Sequence, residues 1–178
     1  ASTQLGMWET WPLCSVVEFF GVTDFDASFA AMHDLTSVAS CEFAVRPFLR
    51  DDEARALATL TEWTTDPDEH VRRLVSEGTR SRLPWGSRLR RFATDPTAPL
   101  ALLETLRHDS AKYVRLSVAN HLGDIAKDHP IRANQVARRW WNEGDDNLRW
   151  VVRHGLRGPI KAGDPDSLDI LGYGPPKV

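Results

Sequence analysis

Apolar side chains recur along this chain at helical spacing, and capping residues mark where each run begins and ends. In "TDPDEHVRRLVSEG", Val71, Leu74 and Val75 share one face. Asp66 is a candidate N-cap followed by Pro67, Glu69 is placed to close a capping box, and Gly78 follows the last apolar turn. "HDSAKYVRLSVANHLGDIAKD" sets Val114, Val118, Leu122 and Ile125 on one face, and "GDDNLRWVVRHGLRGPI" does the same with Leu148, Val151, Val152 and Leu156. The spacing predicts three helices. No stretch alternates apolar and polar residues, and no hairpin signal stands between β-branched runs, so the fold class is all-α.

In each of the three, an arginine directly follows the first apolar residue: Val71-Arg72, Val114-Arg115 and Leu148-Arg149. The offsets of 43 and 34 residues suit two-helix repeats. These are the B helices. Companion A helices are predicted over 52–64, 97–107, 130–142 and 165–171, joined by short loops that make each pair antiparallel. "DFDASFAAMHDLTSV" and "SCEFAVRPFL" read as a further pair, with Pro47 marking an end or kink, and Pro159 interrupts the last B helix. The expectation is an α-solenoid of about four helical pairs, with equivalent B-helix positions collected on one concave face. Arg72, Arg115 and Arg149 would then line a basic groove, whereas Trp140 and Trp141 on an A helix are expected to pack in the core or on the convex face.

The totals suit that picture. A chain of 178 residues, 42% hydrophobic and 26% charged, is expected to form one domain over 1–178. No apolar run approaches the roughly 20 residues needed to cross a bilayer, and the start "ASTQLGMWETW" does not read as a signal peptide, so no membrane is expected and a cytoplasmic location is. Cys14 and Cys41 stand alone as core candidates, and the six histidines never fall into ligand spacing, so neither a metal nor a cofactor is expected. Net charge is only −3, but it is unevenly placed. Residues 1–69 carry 3 basic and 13 acidic side chains, residues 70–91 carry 7 arginines against Glu77 alone, and residues 132–161 are again net +4.

Nucleotide loops, serine-hydrolase elbows and redox cysteine pairs are missing. What remains is carboxylates and a tryptophan beside the basic blocks: Glu42, Glu77, Trp85 and Asp124. Taken singly, each has an ordinary explanation. Glu77 lies four residues after Arg73 and Asp124 three before Lys127, spacings that make helical salt bridges; Glu42 suits a helix start, and Trp85 a packed loop.

Taken together they carry a resemblance. "EFAVRPFL" (42–49), "HVRRLVSEGTRSRLPW" (70–85), "YVRLSVANHLGDIAKDHP" (113–130) and "RWVVRHGLR" (149–157) resemble, in order, the motif blocks of AlkC-type DNA glycosylases, members of the HEAT-like-repeat AlkC/AlkD superfamily. The resemblance implies a monofunctional enzyme that cuts the N-glycosidic bond of cationic alkylated bases such as 3-methyladenine, without metal or cofactor. It implies Glu42, Glu77, Trp85 and Asp124 as catalytic residues, Glu77 and Trp85 foremost. It also implies a DNA contact by Arg46, Arg72, Arg73, Arg80, Arg82, Arg115, Lys127, Arg149 and Arg153, on double-stranded DNA containing alkylated bases, by a monomer. Family members carry further helices upstream and some end in an immunoglobulin-like domain; neither is expected here. Ser81, His121, Gly123 and the Gly158-Pro159 pair depart from the family pattern.

The chemistry agrees. A cationic base leaves readily, so fixed negative charge that meets the positive charge developing on the deoxyribose can serve. A carboxylate can also orient water, and a tryptophan face favours a cation. A competing expectation is a non-catalytic HEAT-like module that binds nucleic acid or a protein partner. Such a scaffold would need the arginines but not the acids among them.

Overall fold

The computed structural model describes residues 6–174, and among them there is no strand. The helices are α1 (Met7–Phe20), α2 (Phe25–Leu35), α3 (Val45–Asp51), α4 (Glu53–Trp63), α5 (Glu69–Gly78), α6 (Arg90–Thr94), α7 (Thr97–Leu106), α8 (Lys112–Asp128), α9 (Pro130–Glu143), α10 (Asp146–Gly155), α11 (Arg157–Lys161) and α12 (Pro165–Ile170), with a 3₁₀ turn at Gly21–Thr23. The expected B helices are α5, α8 and α10, and they lie side by side with α8 touching both neighbours. Each rests on its preceding A helix: α4 on α5, α7 on α8 and α9 on α10, while α12 continues the A layer against α9. This is the two-layer stack of a helical-repeat solenoid.

Aspartates start much of it. Asp24, Asp52, Asp145 and Asp164 each accept a hydrogen bond from a backbone N–H three residues on, satisfying donors that have no partner inside the helix. In α5 the cap is Asp68, bonded to His70 N, not Asp66; Asp66 instead takes the N–H of Asp68 and a contact from His33. Pro47 lies in the first turn of α3, where a missing N–H leaves no bond unmade, so it belongs to a helix start rather than an end. Pro159 falls inside the short α11. The pattern gave no sign of α1, which holds Pro12 and exposes Trp8, Trp11, Val16, Phe19 and Phe20, nor of the five-residue α6.

The core runs through both layers: Phe29 and Phe48 meet edge-on between α2 and α3, Leu74, Val118 and Val151 fill the B layer, and Trp140 is wholly buried. Trp140 also donates its indole N–H to Glu104 at 3.0 Å. Cys14 and Cys41 are buried free thiols with sulfur atoms 2.9 Å apart.

Two of the three in-register arginines turn inward. Arg72 Nη1 donates to the carbonyls of Asp66 and Pro67, six and five residues back, while its Nε and Nη2 grip Asp109 of the next repeat at 2.6 and 3.0 Å. Arg115 repeats the arrangement, with Nη1 on the carbonyls of Asp109 and Ser110 and Nη2 on Asn147. Together with His33–Asp66, these bonds staple each repeat to the next. Arg72 and Arg115 are therefore clamps rather than members of an exposed stripe, and Arg149, bonded only to Trp141 O, is the one of the three left open to solvent. Replacing Arg72 by Ala strands the nearly buried Asp109 carboxylate. Chemical denaturation of Arg72→Ala is expected to show a loss of about 3 kcal/mol, against a small effect for Arg149→Ala.

Candidate active site

The C-terminal end of α5 packs so closely on α3 that a Cβ at Gly78 would lie 2.4 Å from Val45, and the chain then leaves the helix through Thr79–Leu89. Arg46 fixes this loop from beneath. Buried at 1% exposure, it donates to the carbonyls of Gly78 (2.8 Å), Arg80 (2.9 Å) and Ser87 (2.8 Å from Nε). Burial pushes its guanidinium down to about 10. All three of its nitrogens are turned on backbone carbonyls and the side chain is buried, so Arg46 shapes the site and is not available to a phosphate. From the other side, Arg82 makes a two-pronged pair with Asp128.

Three acids from successive repeats meet around two arginines. Arg73 reaches Glu42 at 2.8 Å and Glu77 at 3.6 Å, and also donates to Ser40. Arg80 lies between Glu77 at 2.5 Å and Asp124 at 2.7 Å. Burial alone would lower the Arg80 guanidinium, but the two carboxylates outweigh it and hold it above its ordinary value. Lys127 completes the ring on Asp124 Oδ1 at 3.0 Å. The i,i+4 pair of Arg73 with Glu77 does form, but the shorter bond to Glu77 comes from Arg80.

The acids are not equally accessible. Both oxygens of Glu77 are engaged, Oε1 by Arg80 and Arg73 and Oε2 by the Ser117 hydroxyl at 2.6 Å. Asp124 is buried, with both oxygens paired, yet it lines a concavity of about 190 Å³ shared with Arg80, Asn120, Lys127 and Arg157. Glu42 alone keeps an oxygen, Oε1, that accepts no hydrogen bond from the described residues. Sequence reasoning missed Ser117 and His121. His121 Nδ1 lies 2.9 Å from Ser76 O, and Ser117 bonds both Ser76 Oγ and Glu77, so α8 holds the last turn of α5. The spacing of Ser117 and His121, at i and i+4, is the only sequence signal for the pair.

Trp85 is placed differently. It crowns the loop at 99% exposure, with φ +60, and no hydrogen bond or ring contact among the described residues joins it to the three acids. It is the one non-glycine residue with a left-handed backbone among the described residues, a conformation that costs an L-residue about 1–2 kcal/mol. The loop sustains it through Arg46 and Arg82. Of the remaining cations, Arg149 and Arg153 both lie over the Trp141 ring on the open side of α10. Among the described residues no group of three or more His, Cys, Asp or Glu side chains is placed to hold a metal ion.

A stack of HEAT-like helical repeats, with one buried cluster of acids and arginines at the junction of its B helices, defines the class of this chain. No protein-family model matches it. It is 41% identical over 157 residues to YhaZ of Bacillus subtilis strain 168, an uncharacterized protein, a match covering 88% of this chain and 44% of YhaZ. Among solved structures it resembles the Pseudomonas fluorescens alkylpurine DNA glycosylase AlkC bound to DNA containing an abasic site analog. The TM-score is 0.92 at 42% identity, over 96% of this chain and 47% of that one. Over the matched region the chain is similar to AlkC in sequence and fold, and it spans about half the length of each of these relatives.

Two stability outcomes follow from the site. His121 is fully buried and burial pushes its imidazole down to about 3, so between that value and the ordinary 6.5 the unfolded chain binds a proton that the folded one does not. Its contribution is complete above pH 6.5 and is lost as pH falls toward 3, in total roughly 3–5 kcal/mol. A denaturation series from pH 7 to 4 is expected to show that loss in the wild type and a flatter profile in His121→Asn. Trp85→Gly relieves the left-handed strain without removing burial, and its melting curve is expected to show a gain of about 1 kcal/mol.

Proposed function

We propose that this chain carries the active centre of a monofunctional DNA glycosylase, a cytoplasmic monomer that hydrolyses the N-glycosidic bond of cationic alkylated bases such as 3-methyladenine in double-stranded DNA. The observation that carries the reading is the convergence of Glu42, Glu77 and Asp124, from three successive repeats, on Arg73 and Arg80. The likeness to a glycosylase at 42% identity supports it. So does the local balance of charge: the acids are held by Arg73, Arg80 and Lys127, which fixes their geometry before substrate arrives.

In the reaction the C1′–N bond breaks and its electron pair leaves with the base, which departs neutral. Positive charge develops on the deoxyribose, and carboxylates fixed in a site that excludes most water stabilise that charge more than the ground state. The free Oε1 of Glu42 is the acceptor that can hold the attacking water and receive its proton, while the water oxygen bonds to C1′. Asp124, which lines the concavity, adds a second fixed negative charge for the developing cation. Glu77, with both oxygens engaged, supplies negative charge from behind and fixes Arg80. Trp85 offers an exposed π face to the cationic lesion, a contact of about 0.5–2 kcal/mol that a neutral base gains less from.

Release of 3-methyladenine from methylated DNA tests this directly. Glu42→Gln and Asp124→Asn are each expected to lower the single-turnover rate by about 10²-fold or more, with little change in DNA affinity. Full-rate release by both variants would remove these residues from the mechanism. DNA binding by the wild type with no base released would return the chain to a non-catalytic module.

A further inference from the structure

Beside Asp124, where α8 crosses α10, lies the concavity already met, of about 190 Å³, lined by Arg80, Asn120, Gly123, Asp124, Lys127, Gly155, Arg157 and Gly158. Its polar groups have an unbalanced sign. Asp124 is matched by Arg80 and Lys127, whereas Arg157 meets no carboxylate among the described residues and bonds only to the His154 carbonyl and to Asn120 Oδ1. A guanidinium can only donate, so that bond fixes which end of the Asn120 amide is oxygen. The Asn120 NH₂ therefore faces away from Arg157 and donates to none of the described residues.

The glycines sort the same way. Gly123 and Gly155 are required by packing, since a Cβ at Gly123 would stand 2.9 Å from Gly155 O and one at Gly155 3.0 Å from Leu122. Gly158 is not: a Cβ there would meet nothing within 4 Å, yet the residue lies inside α11, where glycine is less favourable than alanine by about 0.5–1 kcal/mol. Packing leaves that glycine unexplained, and close approach of a ligand to the backbone explains it.

We propose that Asn120, Lys127 and Arg157 form a seat for a single phosphodiester group of the bound DNA strand, with bare backbone at Gly158 as its wall. The inference rests on the reading of the chain as a DNA-binding enzyme and adds what fixes the strand: a phosphate held here sets the register of the adjoining sugar against Asp124. Contacts of this kind position a strand without reading its sequence.

The test uses duplexes carrying an abasic-site analog, in which single phosphates flanking the analog are replaced one at a time by neutral methylphosphonates. Binding is followed by fluorescence anisotropy over a range of salt. In the wild type one replacement should weaken binding several-fold; in Arg157→Ala that replacement should have no effect. The slope of log affinity against log salt should be shallower by about 0.9. Gly158→Leu, which fills open space and leaves the core alone, should weaken binding alike. Wild-type affinity and slope in both variants, or no phosphate position coupled to Arg157, would overturn the seat. Base release is measured in parallel. A wild type that binds DNA with this coupling but releases nothing sinks the glycosylase reading and leaves the seat standing, one that releases base while both variants bind unchanged sinks the seat alone, and failure to bind any DNA sinks both.

Discussion

Arg80, buried between Glu77 and Asp124, is the contact on which the rest of the site depends. It belongs to the loop after α5, while its partners belong to α5 and α8, so one guanidinium ties a loop, its own repeat and the following repeat together. Beneath it Arg46 takes the carbonyl of the same residue, and the loop is gripped from two sides by charges that water cannot replace. Buried ion pairs of this kind add little to net stability, because desolvation offsets their attraction. What they do is penalise every arrangement in which one partner is missing. The acids are thereby held within hydrogen-bond distance of fixed cations, and Trp85 is held in a backbone conformation it would not adopt alone.

Helix existence was legible because capping is local. Asp52, Asp145 and Asp164 announce their helices from within three residues, and the apolar faces of α5, α8 and α10 repeat at 3.6 residues. Legibility failed where the deciding partner is distant or the period is lost. α1 is apolar on several sides and contains Pro12, so no face stood out. Asp68 displaced Asp66 as the cap of α5 because Asp66 is engaged by His33, 33 residues away. The candidate acids were found through their motif blocks. Their unequal exposure was not, since it depends on Ser117, Lys127 and Arg80 arriving from other turns.

The recurrent arginines teach the same lesson from the opposite direction. Register along a helix tells which face a side chain leaves from, and Arg72 and Arg115 do leave from equivalent positions. It does not tell what the next repeat presents there. Asp109 and Asn147 do so, and the guanidinium groups fold against the stack instead of projecting from it. One equivalence that could have been read is the pair Asp66 and Asp109, spaced by the same 43 residues as Arg72 and Arg115. The phase continues to Glu143 ahead of Arg149, but there Arg107 takes the acid and the joint is not repeated. Arg149, Arg153 and Arg157 succeed one another every fourth residue from α10 into α11 and form an open basic edge of the stack.

The joints between repeats are short and strong, but each links only neighbours, so a stack of this kind bends more easily than it breaks. Glu42, Glu77 and Asp124 stand at three successive points along that bend, linked through Arg73 and Arg80 and, between α5 and α8, through Ser117. Their mutual separations are therefore a measure of curvature. Any load that tightens or relaxes the arc is transmitted to the acids as a change in spacing, and the arc itself becomes a part that sets the geometry of the cluster.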